Sequence, residues 1–167
     1  MKFAITAAFL GCILAANYVT TQFGMVPVGF GLMATAGTYF AGMTFILRDS
    51  LQDMAGKRWT IAAIALGAAM SFLVSDPFIA IASAVAFGIA ELADLAVYTP
   101  LRKRGYIRAA IASNIVGSFI DTVAFLTIAG FPVLLALPGQ MVGKLAVTAV
   151  AVIAVAIYRA RRKVASA

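Results

Sequence analysis

The stretch "ASAVAFGIAELADLAVYTPLRKR", residues 82–104, decides how the chain is read. It opens as an apolar, small-residue run, yet Glu91 and Asp94 stand inside it, and Arg102, Lys103 and Arg104 close it. Phe87, Glu91, Asp94 and Tyr98 recur at spacings of four, three and four, which is one face of an α-helix. The stretch therefore predicts an apolar helix with an acid-bearing stripe, followed by a basic anchor. Two carboxylates in such a place call for a reason, because a charge at the centre of a bilayer costs about 2.5–3.5 kcal/mol on insertion scales.

The composition around this stretch makes the bilayer the right solvent to consider. Of 167 residues, 63% are hydrophobic and only 11% charged, with a mean hydropathy of +1.03. A soluble domain carries about a quarter charged residues. No charge occurs at 3–47, 59–75 or 122–143, and a spanning helix needs roughly 20 apolar residues. An all-α integral membrane protein follows, one domain over 1–167. Six transmembrane helices are expected, at about 3–19, 28–47, 59–74, 77–98, 109–129 and 140–158. "SDP" at 75–77 reads as a tight turn, with Pro77 in the first turn of a helix, where its missing N–H costs nothing. "GFPVLLALPG" at 130–139 reads as a re-entrant or extracytoplasmic loop, and the tail 159–167 as a frayed end.

Six spans also sort the charges. One side receives Lys2, Arg48, Lys57, Arg58, Arg102, Lys103, Arg104, Arg108, Arg159, Arg161, Arg162 and Lys163, every basic residue except Lys144; the opposite loops hold only Asp76. By the positive-inside rule both termini are cytoplasmic, in a multi-pass protein of the cell (inner) membrane. The net charge of +7 is then an orientation signal. It is not a nucleic-acid footprint, for no basic stripe is interleaved with aromatics. A single Cys12 and no His exclude disulfide frameworks and the usual zinc or haem ligand sets, so neither metal nor cofactor is expected. Cys12 follows "AAFLG" as in a lipoprotein signal, and Ala16 would suit signal cleavage, but the apolar run continues past both. Small-residue runs such as "IAAIALGAAMS" let helix backbones approach closely in lipid.

The polar residues inside the spans are few. They are Glu91 and Asp94 in span four, Asp121 in span five and Lys144 in span six, with Asn17, Ser113, Asn114 and Gln140 as uncharged company. Asn114, Gly117, Asp121 and Phe125 again share one helical face. Two acid-bearing faces and a lysine can converge on an internal cavity. Lys144 can equally serve only to neutralise an acid in a buried ion pair. Three acids against one intramembrane lysine leave charge over, which favours protonation, a ligand, or the loop arginines as partners. Carboxylates flanked by Phe87, Tyr98 and Phe125 suit a planar, donor-rich heterocycle such as a guanine-like edge. The same chemistry fits cations, amino compounds and proton relays. In "MTFILRDSLQDMAGKR", residues 43–58, Arg48, Asp49 and Gln52 end span two at the cytoplasmic boundary, as a snorkelling anchor or as a latch with Arg102. Asp53 and Lys57 form a solvated i,i+4 pair.

Taken in order, "AGMTFILRDSLQDMAGKR", "ASAVAFGIAELADLAVYTPLRKR" and "SNIVGSFIDTVAFLTIAG" resemble the queuosine precursor transporter family, also called the vitamin uptake transporter family. The matching residues are Thr44, Phe45 and Asp49; Asp94, Tyr98 and Arg102; Ser113, Gly117, Asp121 and Phe125; and Lys144. The resemblance runs over 17–144. It implies a six-helix bundle similar to the S-components of energy-coupling-factor transporters. It also implies uptake of a queuosine precursor, 7-cyano-7-deazaguanine or its aminomethyl form. This chain departs from the family in its minimal loops and in Arg48 beside Asp49, and another vitamin or purine-like solute is the alternative cargo.

The expected site is a cavity lined by spans one, two, four, five and six. Glu91, Asp94 and Asp121 would take the donor edge of the base, Asn17, Asn114 and Lys144 its acceptor atoms, and Phe87, Tyr98 and Phe125 its faces. Arg48, Asp49, Gln52 and Arg102 would latch the cytoplasmic gate. The chain has no G-x-x-x-x-G-K-[ST] pattern, so ATP is not hydrolysed by that route. Energy would come from an energy-coupling module, from proton or ion coupling, or from metabolic trapping. An enzyme in the membrane would have to rely on carboxylates alone, and none is expected.

Overall fold

The structure, a computed structural model, describes residues 2–165; of 155, 156 and 158–165 only the backbone is described. Six helices and one β-hairpin follow in the order α1 Lys2–Phe23, β1 Met25–Gly29, β2 Leu32–Thr35, α2 Thr38–Ala55, α3 Lys57–Ser71, α4 Pro77–Arg102, α5 Tyr106–Ile128 and α6 Val133–Ala165. Four segments, Lys2–Phe23, Pro77–Arg102, Tyr106–Ile128 and Val133–Ala154, are long and apolar enough to cross a membrane. α2 carries the charges of "RDSLQD", and α3, at 15 residues, is shorter than the roughly 20 that span a hydrocarbon core.

The bundle buries polar and charged side chains among its apolar core and exposes large apolar ones. On α4, Glu91 and Asp94 are buried, while Ile89 and Leu92 on the other face are 51% and 65% exposed. Val150 of α6 and Phe119 of α5 are exposed in the same way. Water would drive these apolar side chains inward; lipid leaves them outside at no cost and drives the charges in.

The two ends of the bundle differ. At one end the hairpin packs beside the start of α6, and Asp76 caps α4, its Oδ1 accepting from Phe78 N at 2.9 Å and Ile79 N at 3.3 Å. Pro77 takes the first helical position, where no N–H is needed. At the other end Trp59 Nε1 donates to Thr6 Oγ1 at 3.0 Å and Lys2 lies over the Trp59 ring at 4.9 Å. That basic end also holds the α4–α5 turn with Arg102, Lys103 and Arg104.

Three expectations need correcting. Span two does not begin at residue 28: "VPVGFGLMAT" forms the hairpin, pairing Met25 with Thr35 and Pro27 with Met33. Phe30 and Gly31 both take positive φ, 53° and 71°, as a tight hairpin turn demands. α2 therefore starts ten residues later, at Thr38, and continues through "RDSLQDMA" to Ala55. Arg48 and Asp49 lie in the middle of a buried helix face, not at its end, and Arg48 leaves the group of basic-end charges. "GFPVLLALPG" is not a loop beyond residue 132, for α6 begins at Val133 and accommodates Pro138 near its start. α6 continues to Ala165; residues 166 and 167 lie outside the described residues.

Glycines set how closely the elements meet. A Cβ on Gly139 would collide with the Met33 carbonyl, and one on Gly37 with the Ala16 carbonyl. The hairpin and the start of α2 thus seat directly on helix backbone. Gly117 brings α5 onto α2 and α4: its Cβ would lie 3.0 Å from Phe45 Cε1 and 3.1 Å from Asp94 Cβ.

Candidate functional site

The polar side chains that pair between the helices fall into three layers along the bundle, two buried and one part-exposed. The first, at the hairpin end, surrounds a cavity of about 50 Å³ lined by α1, α2, α4, α5, α6 and the hairpin. Asn17, Phe87, Asp121, Phe125 and Lys144 line it, as do Gln140, Ser83, Thr20, Thr35 and Thr44. Lys144 Nζ donates to Asp121 Oδ2 at 2.6 Å and to Thr122 Oγ1 at 2.8 Å. Asp121 is 8% exposed and Lys144 1%, so this is a charge-balanced pair at the wall of a small space. Gln140 Nε2 donates to Thr35 Oγ1 at 3.0 Å, tying α6 to the hairpin. Asn17 Nδ2 donates to Ser71 Oγ at 2.7 Å, which leaves its amide oxygen free of that bond.

The second layer lies deeper, separated from the cavity by Phe45 and Phe87, whose ring centroids are 6.4 Å apart. Its centre is Arg48, fully buried. Arg48 Nη1 meets Asp49 Oδ1 and Asp94 Oδ2, both at 2.7 Å, and its Nε lies 2.6 Å from Glu91 Oε2. Nη2 donates to the Glu91 carbonyl at 3.3 Å. Asn114 Nδ2 donates to Asp49 Oδ2 at 3.2 Å and to the Ala110 carbonyl at 2.6 Å. One guanidinium thus answers three carboxylates from two helices, at exposures of 1% or less.

The third layer is at the basic end. Arg102 of α4 grips Asp53 of α2, with Nε 2.9 Å from each carboxylate oxygen and Nη2 2.8 Å from Oδ2. Tyr98 OH donates to Asp53 Oδ1 at 2.9 Å. This pair is part-exposed, 41% at Arg102 and 24% at Asp53.

The structure parts the site residues expected from sequence. Asn17, Phe87, Asp121, Phe125 and Lys144 meet around the cavity. Glu91, Asp94 and Asn114 do not line it; they turn to Arg48 and Asp49. Tyr98 reaches Asp53, with its ring 5.7 Å from the Arg48 guanidinium. Arg48 and Asp49, expected at the cytoplasmic boundary, sit in the buried interior, tied to Glu91 and Asp94 of α4. Gln52 is half-buried on the same helix, and Arg102 does clamp α4 to α2, through Asp53 rather than Asp49. Sequence reasoning passed over Asp53 as a solvated partner of Lys57. It also left Gln140 and Ser83 outside the site, although each lies one turn from a residue it did select, Lys144 and Phe87. Thr35 had no such signal, being carried in by the hairpin. Among the described residues no group of acids, cysteines or histidines could hold a metal ion.

Comparison with known proteins places the chain. No curated protein and no solved structure matches it. A family model described as "Putative vitamin uptake transporter" matches residues 74–159, just over half of the chain. The match covers α4, α5 and most of α6, and so takes in Glu91, Asp94, Arg102, Asp121 and Lys144. With its apolar helices and polar interior, the chain belongs to the vitamin uptake transporter family, and it is a membrane transporter rather than an enzyme.

Proposed function

We propose that the chain imports a queuosine precursor, 7-cyano-7-deazaguanine or its aminomethyl form, across the cell (inner) membrane. In this reading α2 and α3 complete six crossings and both termini are cytoplasmic, which puts the cavity on the outer side, where an importer receives its cargo. One observation carries the proposal: an Asp121–Lys144 pair faces Phe87 and Phe125 across an internal cavity. Lys144 engages Oδ2 of Asp121, so Oδ1 is left for the ring N–H or exocyclic amine of the base. Lys144 keeps a donor for the base carbonyl, Asn17 and Gln140 supply amide oxygens, and the two rings cover its faces. A site built on such bonds discriminates strongly, since an analogue lacking one donor leaves a buried acceptor unpaired.

A space of about 50 Å³ holds a few waters, so a bicyclic base enters only when the cavity widens. The hairpin is the element placed to move, held to α6 by the Gln140–Thr35 bond. The test is uptake of labelled 7-cyano-7-deazaguanine by cells unable to make it. Cells carrying the wild-type chain accumulate label and restore queuosine in their tRNA, while Asp121→Asn lowers uptake about tenfold or more. A wild-type chain that restores nothing removes the substrate; full uptake by Asp121→Asn removes the site.

A further inference from the structure

The Arg48 layer is not used by the cavity, and its charges do not balance. Asp49, Glu91 and Asp94 surround a single guanidinium, and no Lys144 contact reaches them, because that amine is spent on Asp121 and Thr122. An interior with two surplus negative charges is too costly to keep. The unpartnered atoms of the cluster mark where that charge can be relieved. Asp49 Oδ1 and Asp94 Oδ2 both lie 2.7 Å from the same Arg48 nitrogen, and neither Asp94 oxygen has a hydrogen-bond partner; a proton held there would supply a donor. Both Glu91 carboxylate oxygens and Asn114 Oδ1, on side chains at 1% and 0% exposure, are likewise without a hydrogen-bond partner. A proton on Glu91 would supply the missing donor.

We propose that the Arg48–Asp49–Glu91–Asp94 cluster is a proton-binding site, and that its loading and release drive import through the cavity one turn away. A proton is chosen over a metal cation because the guanidinium already occupies the centre, with all three carboxylates at 2.6–2.7 Å. The groups facing the cluster are Arg48, Asp49 and Gln52 from α2, Glu91, Asp94 and Tyr98 from α4, and Ser113 and Asn114 from α5. Asp121 lies farther along α5 on the cavity side.

The same helices carry both sites. Thr44 lines the cavity four residues before Arg48 on α2, and Phe87 lines it four residues before Glu91 on α4. On α5, Asp121 and Asn114 are seven residues apart, with Gly117 packed on Asp94 between them. One turn is about 5.4 Å, so a shift of α4 against α2 that widens the cavity also opens the carboxyl cluster. Protonation lowers the cost of parting the acids from Arg48. The inference rests on the import reading, and it selects proton coupling from the possible energy sources.

Two measurements test it. Infrared spectroscopy of the purified protein at neutral pH reads protonated carboxyl groups directly, without any substrate. A carbonyl band of buried carboxylic acid that shifts in heavy water and is reduced in Glu91→Gln or Asp94→Asn is expected; a wild-type protein without that band overturns the site. In proteoliposomes, 7-cyano-7-deazaguanine is the probe. An inward gradient of about one pH unit drives about tenfold accumulation if one proton accompanies each substrate, with acidification of the lumen and no response to a sodium gradient. Glu91→Gln retains exchange of label between the two sides and loses accumulation. Exchange in wild-type vesicles that ignores the proton gradient overturns the coupling while leaving the importer intact. Vesicles that exchange no probe overturn the substrate, and the infrared band then still decides the proton site.

Discussion

The interior holds two ionic sites that look alike in composition and differ in kind. Lys144 and Asp121 are one cation and one anion on neighbouring helices, set into the wall of a cavity, with Asp121 partly open to it. Arg48 holds Asp49, Glu91 and Asp94 in a sealed layer with charge to spare. The first is a finished pair that a ligand can borrow, since Asp121 offers its second oxygen without losing Lys144. The second is unfinished without protons, which makes it sensitive to anything that separates α2 from α4. Burial alone therefore does not identify a binding site; charge balance and access do.

The comparison can be broken most severely at Arg48. Arg48→Leu leaves three acids without their guanidinium, and breaking a buried ion pair costs about 3–5 kcal/mol. Thermal unfolding in detergent is expected to show a large drop or no folded protein, and a variant as stable as wild type would mean that the acids are paired elsewhere. Lys144→Leu strands only Asp121, which has the cavity beside it, so a smaller loss of about 1–3 kcal/mol is expected. The balanced pair also permits a repair that the cluster does not. Lys144→Leu combined with Asp121→Leu should regain most of that stability, because apolar replacement of a whole buried pair is often neutral or favourable. A double variant no better than Lys144→Leu alone would argue that the pair is held by more than its own charges.

The hairpin sharpens the contrast, since its Thr35 lines the cavity and, among the described residues, no hydrogen bond or ion pair joins it to the Arg48 layer. Gly139→Val drives a side chain into the Met33 carbonyl, which overpacks the α6–hairpin contact at about 1–3 kcal/mol. Its uptake defect should exceed its effect on the infrared band of the buried acids. The smallest effect belongs to the basic end. Arg102→Gln loses a part-exposed pair worth about 1 kcal/mol or less, and Tyr98 still holds Asp53. A unfolding midpoint indistinguishable from wild type within a few degrees is expected there.

Much of this was legible in the residues, and the failures have physical causes. The helix expected at 77–98 follows from Pro77 and the apolar run behind it, and it runs on to Arg102. The inward stripe of Phe87, Glu91, Asp94 and Tyr98 follows from spacing alone. Spacing also put Asp121 and Phe125 on one face, and Lys144 stood out as the only lysine inside an apolar run. The hairpin was hidden because "VPVGFGLMAT" is as apolar as a span, and only its glycines distinguish it. Arg48 was misplaced for the opposite reason. A cation beside "DSLQD" resembles a membrane boundary, and periodicity cannot say that its partners lie 43 and 46 residues away on α4. The division of the acids between cavity and cluster is a fact of packing: Arg48 meets Asp49, Glu91 and Asp94, while Lys144 meets Asp121.

Equilibrium binding of labelled 7-cyano-7-deazaguanine to the purified protein separates the two sites most directly. Wild type and Glu91→Gln are predicted to bind it with similar affinity, and Asp121→Asn to lose it. Binding that survives Asp121→Asn, or no binding to wild type at all, would contradict the placement of cargo at the Lys144–Asp121 cavity.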